Sequence, residues 1–226
     1  MEIDMMKEPD VMVYLMTGFL DSGKTQFLNF TLSQDYFQID GKTLLILCEE
    51  GEEEYDPREL LKYGVVIETV EDKEDLTEEW LEEMNKKHKP ERVVIEYNGM
   101  WQVSEFEKMK LPAGWAIEQK ITTVDASTFQ MYLTNLKPLF VEMVKGAELV
   151  LFNRCEDKKP LAGYRRSVKV VSPQAEVIFE DENGEVDNIF EDEVPYDLKA
   201  PVIEIPREDY GLSLIHISEP TRLALI

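Results

Sequence analysis

Histidine and cysteine are scarce: the 226 residues hold two of each. Cys48 and Cys155 fall in unrelated segments. No disulfide framework follows from them, and a reducing cytoplasm is the default compartment. His88 is flanked by Lys87 and Lys89 and is expected on the surface at a helix end. Basic residues are also few, 24 Lys and Arg against 47 Asp and Glu, for a net charge of −23 at pH 7. So acidic a surface repels nucleic acid and anionic membranes, which argues against both as partners. It does not exclude a nucleotide, because a phosphate is held locally by backbone dipoles, a lysine and a metal ion. No apolar run approaches the ~18 residues that would span a bilayer. The start, Met1-Glu2-Ile3-Asp4, lacks the basic region of a secretion signal.

What the chain does have is Gly18-Phe19-Leu20-Asp21-Ser22-Gly23-Lys24-Thr25, which reads G-x-x-x-x-G-K-T. This is the Walker A pattern. Its glycines permit a tight loop whose N–H groups cradle phosphates. Lys24 can reach the outer phosphates, and the Thr25 hydroxyl can ligate Mg²⁺. Gly18, Asp21, Ser22, Gly23, Lys24 and Thr25 are therefore candidate nucleotide-binding residues. Val11 to Met16 reads as a buried strand leading in, and Gln26 to Leu32 as a helix leading out. That is the context the motif requires.

Further apolar runs recur without alternation at Thr43–Leu47, Val65–Ile67, Arg92–Ile95, Ile121–Val124 and Leu149–Phe152. Such runs indicate strands covered on both faces. A capped helix start is expected at Asp75-Leu76-Thr77-Glu78, and a capping box at Ser127-Thr128-Phe129-Gln130, with Pro138 kinking or restarting that helix. The acidic stretch from Glu180 to Glu193, with Asn183-Gly184 inside it, reads as a turn and solvated connector. The fold class is α/β, a P-loop NTPase with a doubly wound, mostly parallel sheet and helices on both faces.

Two more segments carry chemistry. In Ile95-Glu96-Tyr97-Asn98-Gly99 an acid ends a buried strand, on the side where α/β sheets bind ligands. Glu96 is a candidate to hold Mg²⁺ through water, and the Gly99 N–H to bond the terminal phosphate. In Asn153-Arg154-Cys155-Glu156-Asp157 the pattern resembles N-K-x-D, which reads guanine through a carboxylate that accepts from two ring donors. Adenine lacks that donor pair. Asn153, Arg154 and Glu156 are the base-side candidates. Arg154 stands for lysine and can stack on the base; Glu156 stands for aspartate and is one methylene longer.

The order G-F-L-D-S-G-K-T, I-E-Y-N-G, Val124-Asp125-Ala126, then F-N-R-C-E resembles the CobW/HypB/UreG family, its CobW branch above all. The likeness runs over roughly residues 11 to 205. It implies a GTPase using GTP and Mg²⁺, with Lys24, Thr25, Glu96 and Glu50 in catalysis. It also implies a part in inserting or trafficking a metal such as Zn²⁺ or Co²⁺ for a metalloprotein client. Asp21 departs from the family's glycine and must point outward, away from phosphate. Glu68 to Asp75 lacks the branch's C-x-C-C, so a thiolate site of that kind cannot form. A substitute transition-metal site would draw on Cys48, Glu49 and Glu50, a thiolate with carboxylates. Met100 and Trp101, not glutamine or histidine, follow Gly99, so slow turnover is expected, with Glu49 or Glu50 positioning water. The alternatives are an ATP-dependent P-loop enzyme and a nucleotide-gated scaffold with negligible hydrolysis.

The GTPase domain is expected to occupy residues 1–205, with 206–211 starting a following domain or linker and Val202 to Ile205 beginning its strand. Residues 212–226 resemble an in-frame translation of a sequencing-library adapter, and the natural chain is expected to continue past Tyr210.

Overall fold

A computed structural model describes residues 9–49, 51, 54–157 and 160–186. The first element is the strand β1 (Val11–Thr17), which runs through the Walker loop into the helix α1 (Lys24–Leu32). The chain continues through β2 (Thr43–Leu47), α2 (Pro57–Leu61), β3 (Val65–Thr69), α3 (Glu78–His88), β4 (Arg92–Glu96) and α4 (Val103–Phe106). It then forms β5 (Trp115–Asp125), α5 (Phe129–Asn135), α6 (Lys137–Val144), β6 (Leu149–Asn153), α7 (Leu161–Val171), β7 (Glu176–Asp181) and β8 (Gly184–Glu185).

These strands make one sheet in the order β3-β2-β4-β1-β5-β6-β7-β8. Every pairing is parallel except β7 with β8. The register sets Met16 beside Glu96, Thr17 beside Thr122, and Asp125 beside Asn153. Because the strands are parallel, their C-terminal ends gather at one edge, where α/β sheets bind ligands.

Both faces are covered, as continuous apolar strands require. Val13, Leu15, Leu44, Ile46, Val93, Ile95, Val150 and Phe152 share one core cluster with Leu81 and Met84 of α3, Phe129 of α5, Phe140 of α6 and Val168 of α7. Met16, Leu45, Val94 and Leu151 alternate with them and are equally buried outside that cluster, as are Leu28 and Leu32 of α1. Period-two alternation sends these strand residues to the opposite face.

Local signals account for most boundaries. The Thr77 side chain accepts from the Trp80 N–H at 3.1 Å and caps α3. Asp56 caps α2, with Pro57 opening the helix. Leu136 ends α5 and Pro138 falls in the first turn of α6, so the proline restarts the helix. The capping box at Ser127 does not form. Ser127 instead donates from both its N–H and its hydroxyl to Asp125, and the Thr128 side chain makes no cap bond. In the acidic stretch the expected turn forms at Glu182-Asn183, but strands flank it: Glu180 and Asp181 end β7, and β8 folds back on them; residues 187–193 lie outside the described residues. Among the described residues no helix is long and apolar enough to cross a membrane. The expected boundary at residue 205, the strand at Val202 and the tail at 212–226 lie outside the described residues.

Candidate nucleotide site

The Walker loop is shaped by its glycines and by neighbours that leave no room for side chains. Gly18 has φ +146°, and a Cβ there would lie 2.5 Å from both the Ser22 hydroxyl and the Thr123 carbonyl. Gly23 has φ +90° and caps α1 in a left-handed conformation; a Cβ there would sit 2.3 Å from Asn153 Nδ2. Asp21 also takes positive φ, +57°. Aspartate is among the residues that visit this region. Its side chain is exposed, and the residue lines the cleft described below. Ser22 is buried and pairs with the Thr123 hydroxyl at 2.8 Å.

Lys24 is drawn back over the loop. Its ammonium donates to the carbonyls of Gly18 (3.0 Å) and Phe19 (2.9 Å) and pairs with Glu49 Oε2 at 2.5 Å. Glu49 arrives from the end of β2. From β4, Glu96 Oε1 accepts the Thr25 hydroxyl at 2.8 Å, and Oε2 accepts the Tyr55 hydroxyl. Burial raises the Glu96 carboxyl above its ordinary range, against the hydrogen bonds from Tyr55 and Thr25 and the charge of Lys24. A threonine hydroxyl beside a carboxylate is a hard oxygen pair of the kind Mg²⁺ takes. The residues present therefore fit that ion.

Gly99 lies directly against the loop. A Cβ on it would stand 2.4 Å from the Gly18 carbonyl oxygen and 2.8 Å from Phe19 Cα. The glycine is required by close approach of two backbones. The neighbouring loop is pinned nearby, with the Tyr97 N–H donating to the Met16 carbonyl at 2.9 Å.

The end of β6 meets the loop through side chains. Asn153 Nδ2 donates to the Ser22 carbonyl at 2.7 Å, while its Oδ1 is buried without a hydrogen-bond partner. Arg154, at φ +53°, donates to the Asp21 carbonyl at 3.0 Å and pairs with Asp125. Burial works to raise Asp125, but the bonds from Ser127 and Arg154 prevail and hold it below its ordinary value. Glu156 does not join this group. It is exposed, with its N–H bonded to the Arg154 carbonyl at 3.0 Å.

A small open cleft results, walled by Asp21, Gly23, Lys24, Thr25, Glu49 and Glu96 with Arg154 on its rim. Gly18, Ser22, Gly99 and Asn153 shape it from behind. Of the residues expected at a substitute transition-metal centre, two are described and both are otherwise placed. Cys48 is 1% exposed within the core, and burial pushes its thiol well above the ordinary range. Glu49 is spent on Lys24, and Glu50 lies outside the described residues. Among the described residues no three His, Cys, Asp or Glu side chains gather to hold a metal ion. His88 is at the end of α3 as expected, but it is half-buried rather than on the surface and is bonded to Glu68 at 2.6 Å. Sequence reasoning missed Tyr55 and gave Asp125 no role. Asp125, one residue past a buried run, carried the same strand-end signal as Glu96; Tyr55, inside an acidic stretch, carried none.

Comparison with known proteins agrees with this geometry. The structure resembles the hydrogenase maturation factor HypB from Archaeoglobus fulgidus, with TM-score 0.55 and 17% identity over 76% of this chain and 82% of that one. It resembles the Zn(II)-bound YjiA GTPase from E. coli, with TM-score 0.56 and 23% identity over 80% of this chain. That match spans 60% of the longer YjiA chain. At these identities the likeness is one of fold. No curated protein matches the sequence. The model of the CobW/HypB/UreG nucleotide-binding domain matches residues 12–179. With the Walker loop, Glu96 and Asn153 all inside that span, the chain belongs to the CobW/HypB/UreG family.

Proposed function

We propose that this chain is a GTPase that binds GTP with Mg²⁺ and hydrolyses it slowly, in the service of metal trafficking to a metalloprotein client. The observation that supports this reading best is the joint arrival of Lys24, the Thr25–Glu96 pair and Asn153-Arg154 at one sheet edge. Lys24 and the main-chain N–H groups of the loop stabilise charge on the transferred phosphoryl group. Thr25 and Glu96 are the oxygen donors that would hold Mg²⁺, which when bound neutralises phosphate charge. Asn153 and Arg154 position the loop from the base side, and Glu156 selects guanine over adenine. Catalysis is slow because no glutamine or histidine follows Gly99, and Glu49 is a candidate to position water. Glu50 is a second such candidate.

The metal-trafficking part rests on family membership, since the described residues supply no transition-metal centre. The GTPase domain is proposed to extend to residue 205, and the compartment to be the cytoplasm.

Titration of a fluorescent GTP analogue into wild type and Lys24→Ala tests the core of this reading. Saturable binding is expected in the wild type alone, with GTP displacing the probe better than ATP. Equal displacement overturns the guanine assignment. Zn²⁺ that alters neither affinity nor hydrolysis overturns the metal role.

A further inference from the structure

Both polar handles of the cleft are already engaged by side chains from the connection between β2 and α2. An ammonium has three N–H donors. Those of Lys24 go to the Gly18 carbonyl, the Phe19 carbonyl and the Glu49 carboxylate. The two carbonyls belong to the loop itself; the carboxylate comes from another strand end and carries negative charge, as a phosphate does. The pair is almost fully enclosed, Lys24 being 3% and Glu49 9% exposed. Either charge left alone there would be strongly disfavoured. On the other side, both oxygens of Glu96 are taken, one by Thr25 and one by Tyr55.

We infer that Glu49 and Tyr55 are an intramolecular latch on the nucleotide site. Glu49 stands in for the phosphate on Lys24, and Tyr55 engages the carboxylate that would otherwise face Mg²⁺. The inference rests on the nucleotide-site reading above and adds a regulatory device to it. A triphosphate binds by exchanging one anionic partner of Lys24 for another. An internal ligand competes at a high effective concentration. A site that is open for only about a tenth of the time binds about tenfold more weakly than an unlatched one. The latch also makes nucleotide binding and the positions of Glu49 and Tyr55 mutually exclusive. Loading the site therefore displaces the Glu49 and Tyr55 side chains, a signal a partner can read.

The test is binding of a fluorescent GTP analogue to the full chain without Mg²⁺, comparing wild type, Glu49→Gln, Glu49→Asp and Lys24→Ala. Glu49→Gln keeps the volume and removes the competing charge. It is expected to bind about tenfold more tightly than wild type, to melt at a lower temperature when empty, and to gain more from nucleotide. Glu49→Asp keeps the charge on a shorter arm and should fall between the two; it serves if the glutamine variant does not fold. Equal or weaker binding by the Glu49 variants, with Lys24-dependent binding in the wild type, overturns the latch and leaves the nucleotide site standing. Absence of binding in wild type and Glu49 variants alike overturns both. Binding that appears only in a Glu49 variant supports the latch. Tyr55→Phe is expected to lower the Mg²⁺ concentration that gives half-maximal tightening; an unchanged or higher concentration removes Tyr55 from it.

Discussion

The ends of β4 and β6 both reach the Walker loop, and they do so by different means. β4 is hydrogen-bonded directly to β1, so its continuation meets the loop backbone to backbone, with Gly99 against Gly18 and Phe19. β6 is separated from β1 by β5, so only side chains bridge the gap: Asn153 to Ser22 and Arg154 to Asp21. One contact is set by register and tolerates no added atom. The other is adaptable, held by two hydrogen bonds, with Arg154 also paired to Asp125 of β5. Strand order thus decides which side of the cleft is rigid and which can be re-tuned by substitution.

Substitution breaks this comparison most sharply at Gly99. Gly99→Ala puts a methyl where the Gly18 carbonyl stands, and backbone cannot yield as a flexible side chain does. A loss of about 2–4 kcal/mol in urea unfolding is expected, with nucleotide binding reduced more than a hundredfold by loop distortion (roughly 2.7 kcal/mol). Asn153→Ala removes one hydrogen bond to a loop carbonyl and opens space beside Gly23. It is expected to cost about 1–2 kcal/mol in stability and to weaken guanine nucleotide binding about tenfold. Glu156→Ala sharpens the base side further. The residue is exposed, so stability should move by less than about 0.5 kcal/mol. The preference for GTP over ATP, read by competition, should nevertheless fall. An unchanged preference removes Glu156 from base selection.

The smallest effect is in acid. Glu96, on the rigid side, is held above its ordinary value chiefly by burial. Its charged form therefore weakens the fold at neutral pH, and that penalty is relieved as pH falls through the raised folded value. Asp125, on the adaptable side, is held below its ordinary 3.8 by Ser127 and Arg154, which outweigh burial. Its stabilisation is complete above 3.8 and is lost as pH drops through the lowered folded value. Urea unfolding stepped between about pH 7 and pH 3 should show Asp125→Asn with a shallower fall at the acid end than wild type. An identical fall would detach Asp125 from the loop's stability.

What the sequence disclosed follows the same division. Strands covered on both faces stand out as unbroken apolar runs, so β2, β4 and β6 were legible almost to the residue. β7 was not: it sits near the sheet's edge, its Val177-Ile178-Phe179 is bounded by acids, and it pairs with only one long strand. α7 also went unread, although Leu161 and Val168 bury one face of it. At the site, Lys24, Thr25, Glu96 and Gly99 were legible because fixed spacing carries their chemistry. The engagement of Glu49 with Lys24 and of Tyr55 with Glu96 is tertiary. No local pattern records which charge an ammonium will choose among the many glutamates around residue 50.

The close fit of Gly99 against the loop has an optical consequence. Trp101 follows two residues later and packs edge-on against Tyr97, their ring centroids 5.6 Å apart. The other two indoles are carried by other elements, Trp80 by α3 and Trp115 by the start of β5. Any lift of the Walker loop presses on the backbone that carries Trp101. Trp101 emission is therefore expected to change as nucleotide is titrated in, read without a label.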